Sequence, residues 1–220
     1  MAKYLIHTCN QRLWYVKDYL IPSMVMQGID ENAISIYLDT ENDGCLEACM
    51  KAFLSVPNNN SSTWHLQDDV IVCSDFKDMT EKFYSCDVVC GYCYAFDGNK
   101  DKVGYVTSKD MWYSFPCIKI PNKIARRCAG WFYNKVIKDN AYRLYVKSKK
   151  HDDTLFHIFM EDYYPDAVVL NTAINLVDHV DYLIGGSIAN KIRSEKETHA
   201  AYFEDKYLVK KLEEKLNHVR

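Results

Sequence analysis

The first forty residues constrain the fold most, because two strand-like segments flank one helix-like segment. Residues 3–8 form a short apolar run, residues 14–24 repeat apolar side chains at helical spacing, and residues 33–38 are rich in strand-forming side chains. This order indicates a β-α-β unit, which is how parallel sheets begin. Gly28 follows the helical pattern and is predicted to end the helix in the left-handed conformation.

The rest of the chain continues to alternate strand-like and helix-like segments. Strands are predicted at residues 63–66, 87–96, 114–122 and 167–170, and helices at residues 45–55, 123–136, 155–160 and 205–216. A hairpin turn is expected at residues 97–100. We therefore expect one α/β domain over residues 1–220, with a mixed, mostly parallel sheet flanked by helices and an additional C-terminal helix.

Charge and cysteine content bear on partners and compartment. The net charge of −3 gives no general attraction to polyanions, and no run reaches the roughly 18 apolar residues that span a bilayer. Nine cysteines, an odd number, favour thiols in a reducing cytoplasm, and no signal peptide is evident. Cys86, Cys90 and Cys93 raise the alternative of a zinc site, but a strand would place Cys90 and Cys93 on opposite faces.

The pair Asp68-Asp69 interrupts two apolar segments, residues 63–66 and 70–72. Ionised carboxylates in such a setting are costly without a compensating charge, and a divalent cation can supply it. Mg²⁺ and Mn²⁺ accept carboxylate oxygens together with water and substrate phosphate. The alternative is a solvated pair of acids in a turn.

Two further places at strand ends are candidates for nucleotide binding. Thr8, Asn10 and Arg12 follow the first strand, where backbone N–H groups and a guanidinium can meet phosphate oxygens. Asp39 follows the second strand, at the sheet edge where open α/β folds bind ligands. The chain has neither a P-loop nor a GxGxxG fingerprint, which argues against P-loop kinases and ordinary dehydrogenases.

Three more residues are candidates for chemistry. His179 lies in a polar break after an apolar stretch and could add a nitrogen ligand to a metal, although a lone histidine is more often structural. Asp152 and Asp153 precede a helix, where either could be a general base or simply the N-cap. The helix dipole there favours the ionised carboxylate and opposes a raised pKa.

Five segments together resemble small phage-encoded glycosyltransferases of the GT-A type and, more distantly, the lipopolysaccharide and procollagen glycosyltransferase family. They are Thr8-Cys9-Asn10-Gln11-Arg12, Tyr19-Leu20-Ile21-Pro22-Ser23, Trp64-His65-Leu66-Gln67-Asp68-Asp69-Val70, Phe115-Pro116-Cys117-Ile118-Lys119-Ile120-Pro121-Asn122 and Leu176-Val177-Asp178-His179-Val180-Asp181. The resemblance implies a GT-A-like, Rossmann-like fold with a nucleotide-sugar-binding half at about residues 1–100. An acceptor half would follow at about 101–200, and then the C-terminal helix at about 201–220.

The resemblance also implies roles for individual residues. Asp39 would contact the nucleoside, Gln67-Asp68-Asp69 would be the DXD-type motif, and His179 would complete a Mn²⁺ or Mg²⁺ site with Asp68 and Asp69. Asp153, with Asp152 beside it, resembles the base of inverting members. The motif departs from a strict Asp-x-Asp, which leaves open which carboxylate binds the metal.

The implied activity is transfer of a sugar from a nucleotide-diphosphate donor, for which the resemblance favours UDP-sugars. The acceptor hydroxyl could belong to a modified base in phage DNA, to a protein or to a glycan. A nucleotidyltransferase and an inactive nucleotide-sugar-binding module are the competing interpretations.

Overall fold

The computed structural model describes residues 2–83, 88–92, 104–108, 113–139, 151–172, 175–180 and 184. The predicted turn at 97–100, the predicted helix at 205–216, and Cys86 and Cys93 lie outside the described residues. The seven cysteines inside them are all thiols.

The described residues form nine strands, which we number in chain order. They are β1 (Tyr4–Cys9), β2 (Ile34–Asp39), β3 (Ser62–Gln67), β4 (Val70–Val72), β5 (Val88–Cys90), β6 (Gly104–Thr107), β7 (Cys117–Pro121), β8 (Val168–Asn171) and β9 (Val177–His179).

Five helices accompany these strands within the same residues. Helix α1 runs through Leu13–Tyr15, widens to a π-helix over Val16–Leu20 and continues as Ile21–Met26. The other helices are α2 (Cys45–Ser55), α3 (Phe76–Lys82), α4 (Asn122–Trp131, with a π-helical extension Phe132–Val136) and α5 (Asp152–Tyr163). A single 3-10 turn, Glu31–Ala33, precedes β2.

Seven of the described strands form one mixed sheet in the order β2-β1-β3-β7-β5-β8-β6. Strand β1 is parallel to both β2 and β3, and β5 is parallel to β8, whereas β7 and β6 pair antiparallel with their neighbours. Strands β4 and β9 form a separate antiparallel pair. The predicted α/β class, with a mixed sheet flanked by helices, is confirmed.

Side chains alternate between the two faces of the sheet and build a hydrophobic core on each. Tyr4 and Ile6 of β1 belong to a core that includes α1, α3, β4 and β9, whereas Leu5 belongs to the opposite core, with α2, α4 and α5. This alternation is what the period-2 geometry of a strand requires of a sheet covered on both sides.

The structure refines several predicted elements. Helix α1 ends before Gly28, whose φ of +83° confirms the predicted left-handed conformation. Strands β4, β6 and β9 and helix α3 were not predicted as such, because each is short and gives little periodic signal. His179, predicted to lie in a polar break, is the last residue of β9. No helix among the described residues is long and apolar enough to cross a membrane.

Two glycines give a matched test of the packing. A Cβ atom on Gly91 would lie 2.9 Å from the Cys117 sulfur and 3.1 Å from the Leu176 Cδ1 atom, whereas one on Gly130 would meet nothing within 4 Å. Gly91→Ala should therefore lower the free energy of unfolding by about 1–3 kcal/mol through overpacking. Gly130→Ala, inside α4, should raise it by about 0.5–1 kcal/mol. Urea titrations of both variants check this, and equal effects would contradict the described packing.

Candidate functional site

The carboxyl ends of the three parallel strands place most of the predicted residues along one edge of the sheet. Cys9 of β1 is in register with Asp39 of β2, and His7 of β1 is in register with Gln67 of β3. The Asp68-Asp69 pair directly follows Gln67. Parallel pairing therefore gathers the ends of all three strands, as expected for a ligand-binding edge.

Arg12 bridges the two carboxylates of the acidic pair. Its Nη1 atom donates to Asp68 Oδ1 at 2.9 Å and to Asp69 Oδ2 at 2.7 Å. The side chains of Arg12, Asp68 and Asp69 are only 6%, 12% and 14% exposed, so they form a buried ion triad. Burial opposes the charge on Arg12, but the two carboxylates raise its pKa above the ordinary value. The Arg12 guanidinium therefore compensates the charge of the two carboxylates, a role that the sequence had suggested for a metal ion.

Asp68 is held from a second side by the end of β1. The backbone N–H of Cys9 donates to Asp68 Oδ2 at 3.3 Å. Burial and the neighbouring Asp69 raise the pKa of the Asp68 carboxyl, against the lowering effects of Arg12 and Thr8. Both oxygens of Asp68 thus already have donors.

His179 is brought to Asp69 by the pairing of β4 with β9. Val70 is in register with His179, and the Val180 N–H donates to the Asp69 carbonyl at 2.8 Å. The His179 Nδ1 atom lies 3.6 Å from Asp69 Oδ1. Burial raises the pKa of Asp69, but His179 and Arg12 together bring it well below the ordinary value. Two residues far apart in the sequence therefore form one acid–imidazole contact.

The second oxygen of Asp69 provides a test of whether this site fits a divalent cation. Asp69 Oδ1 is buried and has no partner at normal hydrogen-bond distance among the described residues; the group that lowers its pKa, His179 Nδ1, lies 3.6 Å away. Arg12 binds Asp68 Oδ1 and Asp69 Oδ2, and the Cys9 N–H binds Asp68 Oδ2. Asp69 Oδ1 and His179 Nδ1 are therefore the oxygen and nitrogen suited to Mn²⁺ or Mg²⁺. No group of three or more His, Cys, Asp or Glu residues suited to a metal occurs in the described part of the chain. The residues fit a cation that takes its remaining ligands from water and a bound phosphate.

Aromatic side chains enclose the acidic pair. The Tyr15 hydroxyl donates to the Val70 carbonyl at 2.8 Å, and burial raises the pKa of Tyr15. The Tyr92 ring packs edge-on against His179, with centroids 5.2 Å apart. These contacts fix the start of β4 and the orientation of the imidazole.

Gln67 connects the acidic pair to the start of α5. Its Nε2 atom lies 3.5 Å from Asp152 Oδ2, at the outer limit of a hydrogen bond. Asp152 is buried, and burial together with Asp153 raises its pKa to about 7. Burial therefore outweighs the helix dipole, which was expected to keep this pKa low. A carboxyl with a pKa near 7 is matched to general base work at neutral pH.

Asp153 has a more local environment. The Thr154 N–H donates to its Oδ1 atom at 2.6 Å, and burial raises its pKa. Neither acid is the N-cap, because His151 occupies that position and α5 begins at Asp152. The carboxylate that meets the edge residue Gln67 is that of Asp152, whereas Asp153 bonds to the first turn of its own helix.

The remaining candidates lie at the same end of the sheet. Asp39 is buried, and its Oδ1 accepts the Asp43 N–H at 3.2 Å. Thr8 is buried at the end of β1, whereas Asn10 is exposed in the turn that leads to α1. Asp39 therefore lies at the carboxyl end of β2, and Asn10 lies just beyond the end of β1.

A pair of histidines, the buried His65 and the half-buried His7, lies below this edge and was not anticipated from the sequence. His7 Nε2 and His65 Nδ1 are 2.9 Å apart, and the Phe53 ring packs against both. Burial lowers the pKa of His7 to about 4 and that of His65 well below its ordinary value. Both imidazoles are thus neutral at pH 7 and add no positive charge beneath the acidic pair.

Comparison with known proteins gives distant structural likenesses. No family model matches the chain, and no curated protein matches its sequence. A197 from STIV is similar over 80% of this chain and 85% of its own, with 15% identity and a TM-score of 0.41. HddC from Yersinia pseudotuberculosis is similar over 58% of this chain and 80% of its own, with 11% identity and a TM-score of 0.31. Likenesses at this level assign neither a family nor an activity.

Proposed function

We propose that this chain is a glycosyltransferase that moves a sugar from a nucleotide-diphosphate donor, preferably a UDP-sugar, to a hydroxyl group. The observation that carries the proposal is the buried Asp69 Oδ1 atom, which has no partner at normal hydrogen-bond distance in the described part of the chain and lies 3.6 Å from His179 Nδ1 at the carboxyl edge of the sheet. This is the edge at which α/β folds bind nucleotides.

The acidic pair and Asp39 would bind the two parts of the donor, its diphosphate and its nucleoside. A Mn²⁺ or Mg²⁺ ion held by Asp69 and His179 would neutralise the charge that develops on the leaving diphosphate. Arg12 stays ion-paired to both carboxylates and holds Asp69 in position. Asp39, at the neighbouring strand end, would face the nucleoside.

Asp152 is the better of the two candidate bases. It is buried and faces Gln67. Because Gln67 directly precedes Asp68 and Asp69 in the chain, this one residue connects the base to the donor site. Its carboxylate would take the proton of the attacking acceptor hydroxyl. Attack on the face opposite the leaving diphosphate would invert the anomeric configuration, and Asp153 would position the start of α5.

The donor class is tested by thermal unfolding of the purified protein with UDP-, GDP-, ADP- and CMP-sugars, each with and without Mn²⁺. Because a cation here has two protein ligands, we expect stabilisation only when nucleotide and metal are both present. At 100 times Kd the gain is about 2.7 kcal/mol, or about 5–10 °C in Tm.

The same thermal-unfolding screen includes ligands that distinguish the competing activities. Nucleoside triphosphates with Mn²⁺ serve as the probe for a nucleotidyltransferase. Stabilisation by a triphosphate in preference to every nucleotide-sugar would replace the proposal with that activity. Binding of a nucleotide-sugar without slow hydrolysis or transfer would indicate an inactive binding module.

A further inference from the structure

Arg12 contacts the acidic pair in the way that a metal ion would. One atom, Nη1, lies 2.9 Å from Asp68 and 2.7 Å from Asp69, so a single positive centre joins two carboxylates. Arg12 is also the last residue of the turn that follows β1, where the Arg12 N–H donates to the Cys9 carbonyl at 3.1 Å. The guanidinium is therefore fixed by the same turn that shapes the edge of the sheet.

We infer that Arg12 is an internal cation that restricts divalent-metal binding at this site to the donor complex. The inference rests on the proposed function, because it concerns the same metal site. Arg12 occupies Asp68 Oδ1 and Asp69 Oδ2, and the Cys9 N–H occupies Asp68 Oδ2. Of the four carboxylate oxygens, Asp69 Oδ1 remains for a metal, beside His179.

The electrostatic consequence follows from charge balance. Two adjacent carboxylates carry two negative charges, and Arg12 neutralises one of them before any metal arrives. With His179 neutral, as a metal ligand must be, a divalent ion alone would meet one net negative charge, one oxygen and one imidazole, which is a weak set for Mn²⁺. A bound diphosphate adds both negative charge and oxygen ligands. The metal therefore binds with the nucleotide rather than before it.

Removing Arg12 should reverse this order. In Arg12→Met both carboxylates lose their charge partner, so the apoprotein should lose about 10 °C in Tm, the cost of leaving buried charges unpaired. Mn²⁺ alone should then restore much of that loss, since the ion replaces the missing charge. Its affinity for Mn²⁺ without nucleotide should exceed that of the wild type by about tenfold.

The experiment is a Mn²⁺ titration without nucleotide, followed by thermal unfolding and by electron paramagnetic resonance of unbound Mn²⁺. Lys51→Met is the matched control, because it removes the cation from another ion pair, in which Lys51 contacts the carboxylate of Asp43. The double variant Arg12→Met, Asp69→Asn should lose the Mn²⁺ rescue. A purely structural Arg12 would lower Tm in the same way but would give no rescue by Mn²⁺.

Equal Mn²⁺ affinity in Arg12→Met and wild type would overturn the inference. In that case the proposed function still stands if Mn²⁺ stabilises wild type only in the presence of a UDP-sugar. A failure of the inference can therefore be distinguished from a failure of the proposed function. If Arg12→Met is recovered unfolded, Arg12→Gln decides, because its amide keeps a hydrogen-bond donor for the carboxylates but removes the charge. An Mn²⁺ affinity tighter than that of wild type supports the inference, and an affinity equal to wild type overturns it.

Discussion

Replacing Asp69 with asparagine should lower the rate of sugar transfer by at least about 100-fold, because the variant loses the charge that holds the metal against the leaving diphosphate. The side chain keeps its shape, and Arg12 keeps its second partner, Asp68. The folded state should therefore survive. Initial rates with a UDP-sugar and Mn²⁺, measured together with circular dichroism, check both expectations.

The Asp69 variant should also separate nucleotide binding from metal binding. Its affinity for nucleotide without Mn²⁺ should match that of the wild type, whereas the additional affinity conferred by Mn²⁺ should be lost. Glu161→Gln, which neutralises an exposed carboxylate 3.4 Å from His157 Nε2, is the control and should change neither quantity. Mn²⁺-dependent donor binding that persists in Asp69→Asn would exclude Asp69 as a ligand.

Replacing Asp152 with asparagine should lower turnover by about 10²–10⁴-fold, the usual contribution of a general base, while donor binding stays unchanged. In the wild type, turnover should rise as pH passes through about 7, where burial and Asp153 place the pKa of Asp152. Asp153→Asn is the matched control, and it should retain most of the activity. Comparable losses in both variants would contradict the distinct roles.

Asp152→Asn lowers turnover, but it should raise the free energy of unfolding relative to wild type as the pH increases. The pKa of Asp152 is raised to about 7 in the folded protein, above the value near 3.9 of an unfolded aspartate. Its contribution to stability is therefore present below about pH 3.9 and is lost as pH rises through about 7. Asp152→Asn lacks this loss, so its stability relative to wild type should increase by up to about 4 kcal/mol between about pH 4 and pH 8.

Urea titrations of the two proteins across this pH range measure the difference directly. Cys45 and Cys49 also lie near Asp152, but burial raises the pKa of both thiols, so they stay neutral below about pH 8. A stability difference that does not change with pH would show that the Asp152 carboxyl is not buried as described.

The sheet edge was predictable from local pattern. The β-α-β alternation over the first forty residues fixes β1 and β2 as parallel neighbours, and an apolar segment that runs into Asp68-Asp69 places those acids at a strand end. Asp39 follows from the same pattern. These positions depend only on where strands end, which side-chain periodicity reveals.

The partners of the acidic pair were not predictable in this way. Sequence reasoning recognised that Asp68 and Asp69 need a compensating charge, but nothing in the spacing of Arg12 indicates that its side chain turns back across the edge of the sheet. His179 reaches Asp69 because β4 pairs with β9, and a three-residue strand gives no periodic signal of its own. Long-range pairing therefore determines the chemistry of this edge.

The raised pKa of the acid at the start of α5 was not predictable from the sequence either. The helix dipole favours ionised Asp152, but that effect is worth only about 0.3–1 kcal/mol at an exposed helix end. Burial acts in the opposite direction and is the larger effect, so the pKa rises to about 7. Burial of a single side chain depends on the packing of α5 against the sheet, which sequence alone does not specify.

The most direct test of the metal assignment is anomalous diffraction at the manganese absorption edge from crystals grown with Mn²⁺ and UDP. We predict one strong peak at coordinating distance from Asp69 Oδ1 and His179 Nδ1, next to the diphosphate, with Arg12 still bonded to Asp68. A nucleotide bound away from the carboxyl ends of β1 to β3, or a manganese peak that does not touch Asp69, would contradict this assignment.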